Sequence, residues 1–183
     1  MQELDDFSVV ALFYEFKDFT PIGSEGDRVV LSVARRLLNL DLLEMATEIL
    51  QHQVMYRLRG EERMVTANHL VLVLLMDKKP AEALRILDDT DKENFEFSEH
   101  QKRRYLKTSA LITLGKYSEA LNYIGDDKSS DAYALKREIY FRSHKWGDYI
   151  SLVENELLSK IDEGNVIQGE DSQEVLRLAI SYS

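Results

Sequence analysis

An all-α solenoid of antiparallel helix pairs is predicted for this 183-residue chain by three observations. Apolar residues recur at helical spacing: Val30, Val33, Ala34, Leu37 and Leu38 fall at i, i+3, i+4, i+7 and i+8, one stripe of a helix. A marker near the start of each second helix returns at intervals. Ala46 and Ala83 are 37 residues apart, Ala83 and Ala120 again 37, and Tyr149 follows Ala120 by 29. No segment shows a convincing strand alternation. A helix-turn-helix unit recurring at such a period marks stacked repeats, whose neighbours bury the stripe that one helix cannot hide.

In chain order, Asp5 or Asp6 is placed to cap a first helix from Phe7 to about Lys17. Its bulk (Phe7, Val10, Phe13 or Tyr14, Phe16) lies on more than one side, as expected of a helix covered by neighbours. Thr20 to Gly26 reads as a loop, because Pro21 and two glycines break a helix. It is the ordered loop best suited to a specialised contact, although such segments are more often plain connectors. The regular pattern starts at Asp27, and Asp41 closes a short turn where it is placed to cap the next helix. Leu42, Met45, Ala46, Ile49 and Leu50, extended by Val54, repeat the stripe, and Gly60 stops that helix as a C-terminal glycine. Ala67, Leu70, Val71, Leu74 and Leu75 give a third stripe, and Ala83, Ile86 and Leu87 a fourth after Lys78-Lys79-Pro80.

Asp88 to Asn94 is acidic, but its order does not fit a calcium loop, so it reads as a solvated connector. Ser98-Glu99-His100-Gln101 has the form of a capping box. Leu106, Ser109, Ala110 and Leu114 carry the next stripe into Gly115-Lys116-Tyr117. Gly125 ends the following helix, and a polar turn runs from Asp126 to Asp131. Leu135, Ile139 and Tyr140 face inward next, then Ile150, Val153, Leu157 and Leu158. Ile161 to Asp171 reads as a linker, and Ser172 to Tyr182 as a last helix resembling half of a fifth repeat. One domain is expected: an N-terminal helix and loop (1–26), about four hairpins (27–160), then linker and terminal helix (161–183). The half repeat implies an excised piece of a longer protein; the plainer alternative is a natural cap.

Composition narrows the function classes. The net charge is −10 with an isoelectric point near 4.9, which disfavours nucleic acid and anionic membrane surfaces alike. No apolar run approaches the ~20 residues of a spanning helix, so no membrane contact is expected from this segment. Cysteine is absent, which excludes disulfides and thiolate metal sites and leaves a cytoplasmic or periplasmic compartment open.

The stretch Ala110 to Ile124 resembles the tetratricopeptide repeat. Ala110, Leu111, Gly115, Tyr117, Ala120 and Leu121 stand in that family's order, with Lys78 to Leu84, Asp41 to Ala46 and Lys145 to Ile150 as fainter copies. Departures are plain: Arg104 and Lys107 occupy positions that are usually apolar, and no proline closes the unit. The run from Tyr14 to Leu87 also resembles a segment of large bacterial helical-repeat proteins. The tetratricopeptide resemblance implies a right-handed α-α superhelix whose first helices line a concave wall. It would place Arg28, Leu31, Arg35, Asn68, Leu72, Lys102, Tyr105, Ser109, Ala134, Glu138 and Arg142 on that wall. It implies a non-enzymatic scaffold that binds a protein or peptide segment, or self-associates. The cluster of Asn and Lys that some such domains use for a terminal carboxylate is not visible.

Chemistry has little foothold. His52, His69, His100 and His144 form no metal motif; Glu48 and His52 share a helix face at i, i+4, a spacing that offers two ligands but more often marks an exposed polar pair. Phosphate loops and nucleophile elbows are missing, so no cofactor, metal or catalytic residue is expected. The basic clusters Arg57-Leu58-Arg59 and Lys102-Arg103-Arg104 read by default as charge pairing with neighbouring acids. The alternative function is a helical domain whose carboxylates and His52 and His69 converge across repeats into a ligand-binding or catalytic site. RNA recognition is the weakest class on charge.

Overall fold

A computed structural model describes residues 4–21, 23–91, 97–162 and 177–179. Among these the chain is helical throughout, without a strand. The helices are α1 (Asp6–Phe16), α2 (Ser24–Asn39), α3 (Leu43–His52), α4 (Gly60–Met76), α5 (Pro80–Asp89), α6 (Phe97–Thr113), α7 (Tyr117–Ile124), α8 (Ser130–Arg142) and α9 (Trp146–Asp162). A 3₁₀ turn at Lys17–Phe19 follows α1, and a π turn at Gln53–Arg57 extends α3. Two compact units divide between Leu114 and Gly115.

The repeat is visible in the backbone. Asp41, Lys78, Gly115 and His144 all have positive φ (58°, 57°, 73° and 56°), and each stands five residues before a marker position. In three of these turns the geometry is the same hydrogen-bonded closure of a helix C-terminus. Leu42, Lys79 and Lys145 donate their backbone N–H to the carbonyls of Leu37, Leu74 and Tyr140, while Asp41, Lys78 and His144 donate to Leu38, Leu75 and Phe141. Only Gly115 among the four is glycine, so the other three hold a conformation L-residues rarely adopt. Ala46, Ala83, Ala120 and Tyr149 are then the fourth residue of α3, α5, α7 and α9, and all four are fully buried. At three of these seats the side chain is a single methyl; at Tyr149 a ring stands instead and packs edge-on to Phe141.

In the first unit α4 is central and packs against α3, α5 and α6, while α2 lies against α1 and α3. Met64, Ala67, Leu70, Val71, Val73 and Leu74 are all buried, so α4 is apolar around much of its circumference rather than along one stripe. At about 25 cal/mol per Å² such burial is what holds the unit together. The inner face of α6 has other contents: Arg103, Thr108, Ala110, Leu111 and Ile112 are buried, while Leu114, expected inside, is 39% exposed. In the second unit α8 packs on α7 and α9, burying Ala132 and Ile139, with Tyr149 and Val153 from α9. The side chains of Leu157 and Leu158, and most of the expected terminal helix, lie outside the described residues.

Local expectations needed revision in five places. Asp5 caps α1 through Ser8 at 2.9 Å, as foreseen, but α1 is open on one side, with Phe7, Leu12 and Phe16 at 69%, 49% and 48% exposure. The α2 helix starts at Ser24, inside the expected loop, because Gly26 admits the Pro21 carbonyl; a Cβ there would lie 1.7 Å from that oxygen. Asp41 does not cap α3: the turn needs a left-handed residue there, and Leu42 takes the cap position. Gly60 opens α4 rather than ending the preceding helix, which closes through its π turn at Leu58. The expected capping box at Ser98 falls within α6, which begins at Phe97; there Gln101 donates to the Tyr105 hydroxyl at 2.6 Å.

Candidate functional site

Helical spacing puts Asn68 and Leu72 on one face of α4, and Lys102, Tyr105 and Ser109 on one face of α6. These five expected wall residues border a single groove of about 300 Å³ between the two helices. His69 and Glu99 complete its polar edge, and Leu106 with Val65 adds apolar floor. A second groove of about 360 Å³ lies between α2 and α4, where Arg28 and Leu31 sit; Val65 belongs to both. Leu72 is 47% exposed and Met76 54%, so an apolar strip runs open along this side of α4.

The polar groups of the first groove are ordered by a network beneath it. Asn68, itself buried, donates to Glu99 at 2.9 Å and accepts from Arg103 at 3.0 Å. Arg103 reaches on to the Leu87 carbonyl at 2.6 Å and the Thr90 hydroxyl at 2.9 Å. Its guanidinium thus closes the C-terminal end of α5, where unpaired carbonyls favour a cation. Glu99 also accepts from Lys102 at 2.6 Å, and the two donors, Lys102 first and then Asn68, hold its carboxyl below the usual range. His69 is pushed the other way for a histidine, toward the neutral form, by partial desolvation and then by the charge of Arg35; Glu99 opposes this. Arg35 itself projects outward from α2 beside that edge.

Not every expected wall residue joins this face. Glu138 and Arg142 belong to α8 in the second unit, where they pair at 2.5 Å and Glu138 also accepts from Arg177 at 3.2 Å. Ala134 lies exposed on the same helix. Arg103, grouped by sequence with a surface basic cluster, is instead the most buried charged side chain of the network. The only sequence sign was its place on the inner stripe, seven residues before Ala110. His52 and His69 do not converge: His52 borders a separate cavity beside α1, α2 and α3. Among the described residues no group of three His, Asp or Glu side chains is arranged to hold a metal ion, and no helix is long and apolar enough to cross a membrane.

Comparison with family models, curated proteins and solved structures found no match to this chain. The repeat resemblance therefore rests on the residues and turns of this chain alone.

Proposed function

We propose that the chain is a non-enzymatic protein-binding module that takes a segment of a partner along the face formed by α2, α4 and α6. The reading is supported chiefly by one observation: Asn68, Leu72, Lys102, Tyr105 and Ser109, spread over forty-two residues of sequence, border one open groove. An exposed Leu72 and a Tyr105 ring beside charged groups fixed by hydrogen bonds are the mixture that anchors bound segments. The underlying Asn68–Arg103 network keeps the groove in shape before a partner arrives, which lowers the ordering cost of binding.

The test is capture of a partner by the purified chain, followed by substitutions that spare the fold. Leu72→Glu should lower affinity by about tenfold or more, as truncation or reversal at an anchor does. Arg35→Glu should weaken the same complex, with unchanged helical content. An interaction untouched by both substitutions would remove this face as the site.

A further inference from the structure

A cavity of about 520 Å³ lies in the first unit away from the groove, walled by α1 and the turn after it, the start of α2, and α3 with its π turn. Its size is that of a small-ligand site. Two features that the sequence marked separately meet here: the Thr20–Gly26 segment and the Glu48–His52 pair. The wall is fixed where the Pro21 carbonyl presses on Gly26, with no room for a side chain. The π turn, a helix irregularity frequent at functional sites, brings Gln53 and Arg57 into the wall. Gln53 is only 4% exposed, and its side-chain oxygen has no hydrogen-bond partner. A buried acceptor left without a donor calls for an explanation.

Among the charges that line the cavity the carboxylates Asp18, Asp27 and Glu48 exceed the cations Lys17 and Arg57 by one, which favours a cation. Arg57 is engaged by Asp27 at 3.4 Å. Glu48 makes no hydrogen bond or ion pair among the described residues; its charge, after burial, is what pushes the Tyr14 hydroxyl pKa up. Asp18 and Lys17 line the cavity with opposite charges, and the chain as a whole carries −10, which raises the local concentration of cations. Phe13 and Tyr14, packed edge to face at 5.6 Å, give the cavity an aromatic side on which an organic cation is attracted and an alkyl stem is sheltered. A bare metal ion lacks its ligand set here, as noted above.

We propose that this cavity binds an aliphatic ammonium group, with Glu48 as its counter-charge and the Phe13–Tyr14 wall against its methylene stem. The same chemistry is presented by a free diamine and by a lysine side chain of a protein, and the experiment separates them. Putrescine is titrated into the full chain at low salt while the amide resonances of Phe13, Tyr14, Gly26 and Gln53 are followed; a lysine-containing peptide and its leucine counterpart form the second arm. Saturable shifts confined to these residues are expected, from putrescine, from the lysine peptide, or from both, and none from the leucine peptide. Glu48→Gln should weaken binding about tenfold. Asp126→Asn, which removes the same charge from the second unit, should leave it unchanged, and both variants should retain the helical circular dichroism of the parent. Shifts spread over the acidic surface, equal loss in the two variants, or no saturation at millimolar amine would each overturn the assignment.

Discussion

The helices α4 and α6 have seventeen residues each and face one another across the same groove, yet they fill their inner sides differently. On α4 six of the eight buried residues are hydrocarbon, with Thr66 and Asn68 the exceptions; on α6 a guanidinium and a threonine hydroxyl stand among only three, Ala110, Leu111 and Ile112. The first solution is indifferent to direction and tolerates any close-packed neighbour. The second is directional: Arg103 must meet Asn68 on α4 and the end of α5 at once, so it fixes how α6 is set against both. The hydrocarbon side therefore supplies most of the stability, and the polar side most of the register.

The sharpest way to break the apolar half is Leu74→Asp. Leu74 is 2% exposed at the end of α4, and an unpaired carboxylate there should cost about 4 kcal/mol or more, enough to unfold a marginal unit. Thermal melting followed by circular dichroism checks this, and a midpoint equal to the parent's would refute the packing described for α4. Arg103→Met tests the polar half and should cost less, about 2–3 kcal/mol, because it leaves the Leu87 carbonyl, the Thr90 hydroxyl and the Asn68 oxygen short of a donor. Combined with Asn68→Leu it should show a coupling of about 1 kcal/mol. Additive losses in that cycle would mean that the Arg103–Asn68 hydrogen bond contributes nothing measurable.

This contrast also explains what was legible in the sequence. Periodicity finds hydrocarbon, so the stripes around Leu37, Leu70, Leu74 and Ile86 were readable, and the markers Ala46, Ala83 and Ala120 proved to occupy the same seat in α3, α5 and α7. On α6 the same rule pointed to Leu114, which is exposed, and passed over Arg103, because a charged residue carries no apolar signal and its partners lie sixteen and thirty-five residues away. The groove residues on α4 and α6 were placed on one wall by what the tetratricopeptide resemblance implies, not by periodicity. What spacing cannot supply is the network under them, the π turn after α3, or the left-handed turn residues that are not glycine.

Those turn residues give a gain rather than a loss. Lys78 holds a φ of 57° in a turn that Gly115 fills without strain. Lys78→Gly should therefore stabilise the first unit by up to about 1 kcal/mol, and Gly115→Ala should destabilise by a similar amount. If both changes proved neutral, the repeated turn would not be a strained feature.

The smallest expected effect concerns pH and again separates the two helices, since His69 belongs to α4 and Glu99 to α6. Both have pKa values lowered in the folded state, for different reasons: partial desolvation and Arg35 at His69, hydrogen bonds from Lys102 and Asn68 at Glu99. A group with a depressed pKa contributes stability above its unfolded value and loses it as pH falls through the folded one. For His69 that window begins near its ordinary value of 6.5 and extends downward; for Glu99 it begins near 4.5. Stability should thus decline in two steps on acidification. His69→Gln should erase the upper step and trim the lower one only slightly, and Lys102→Met should shrink the lower one while easing the repulsion that helps keep His69 neutral. Urea titrations at a series of pH values read both, and a single step that neither substitution alters would show that the groove's charges contribute nothing measurable to its folding.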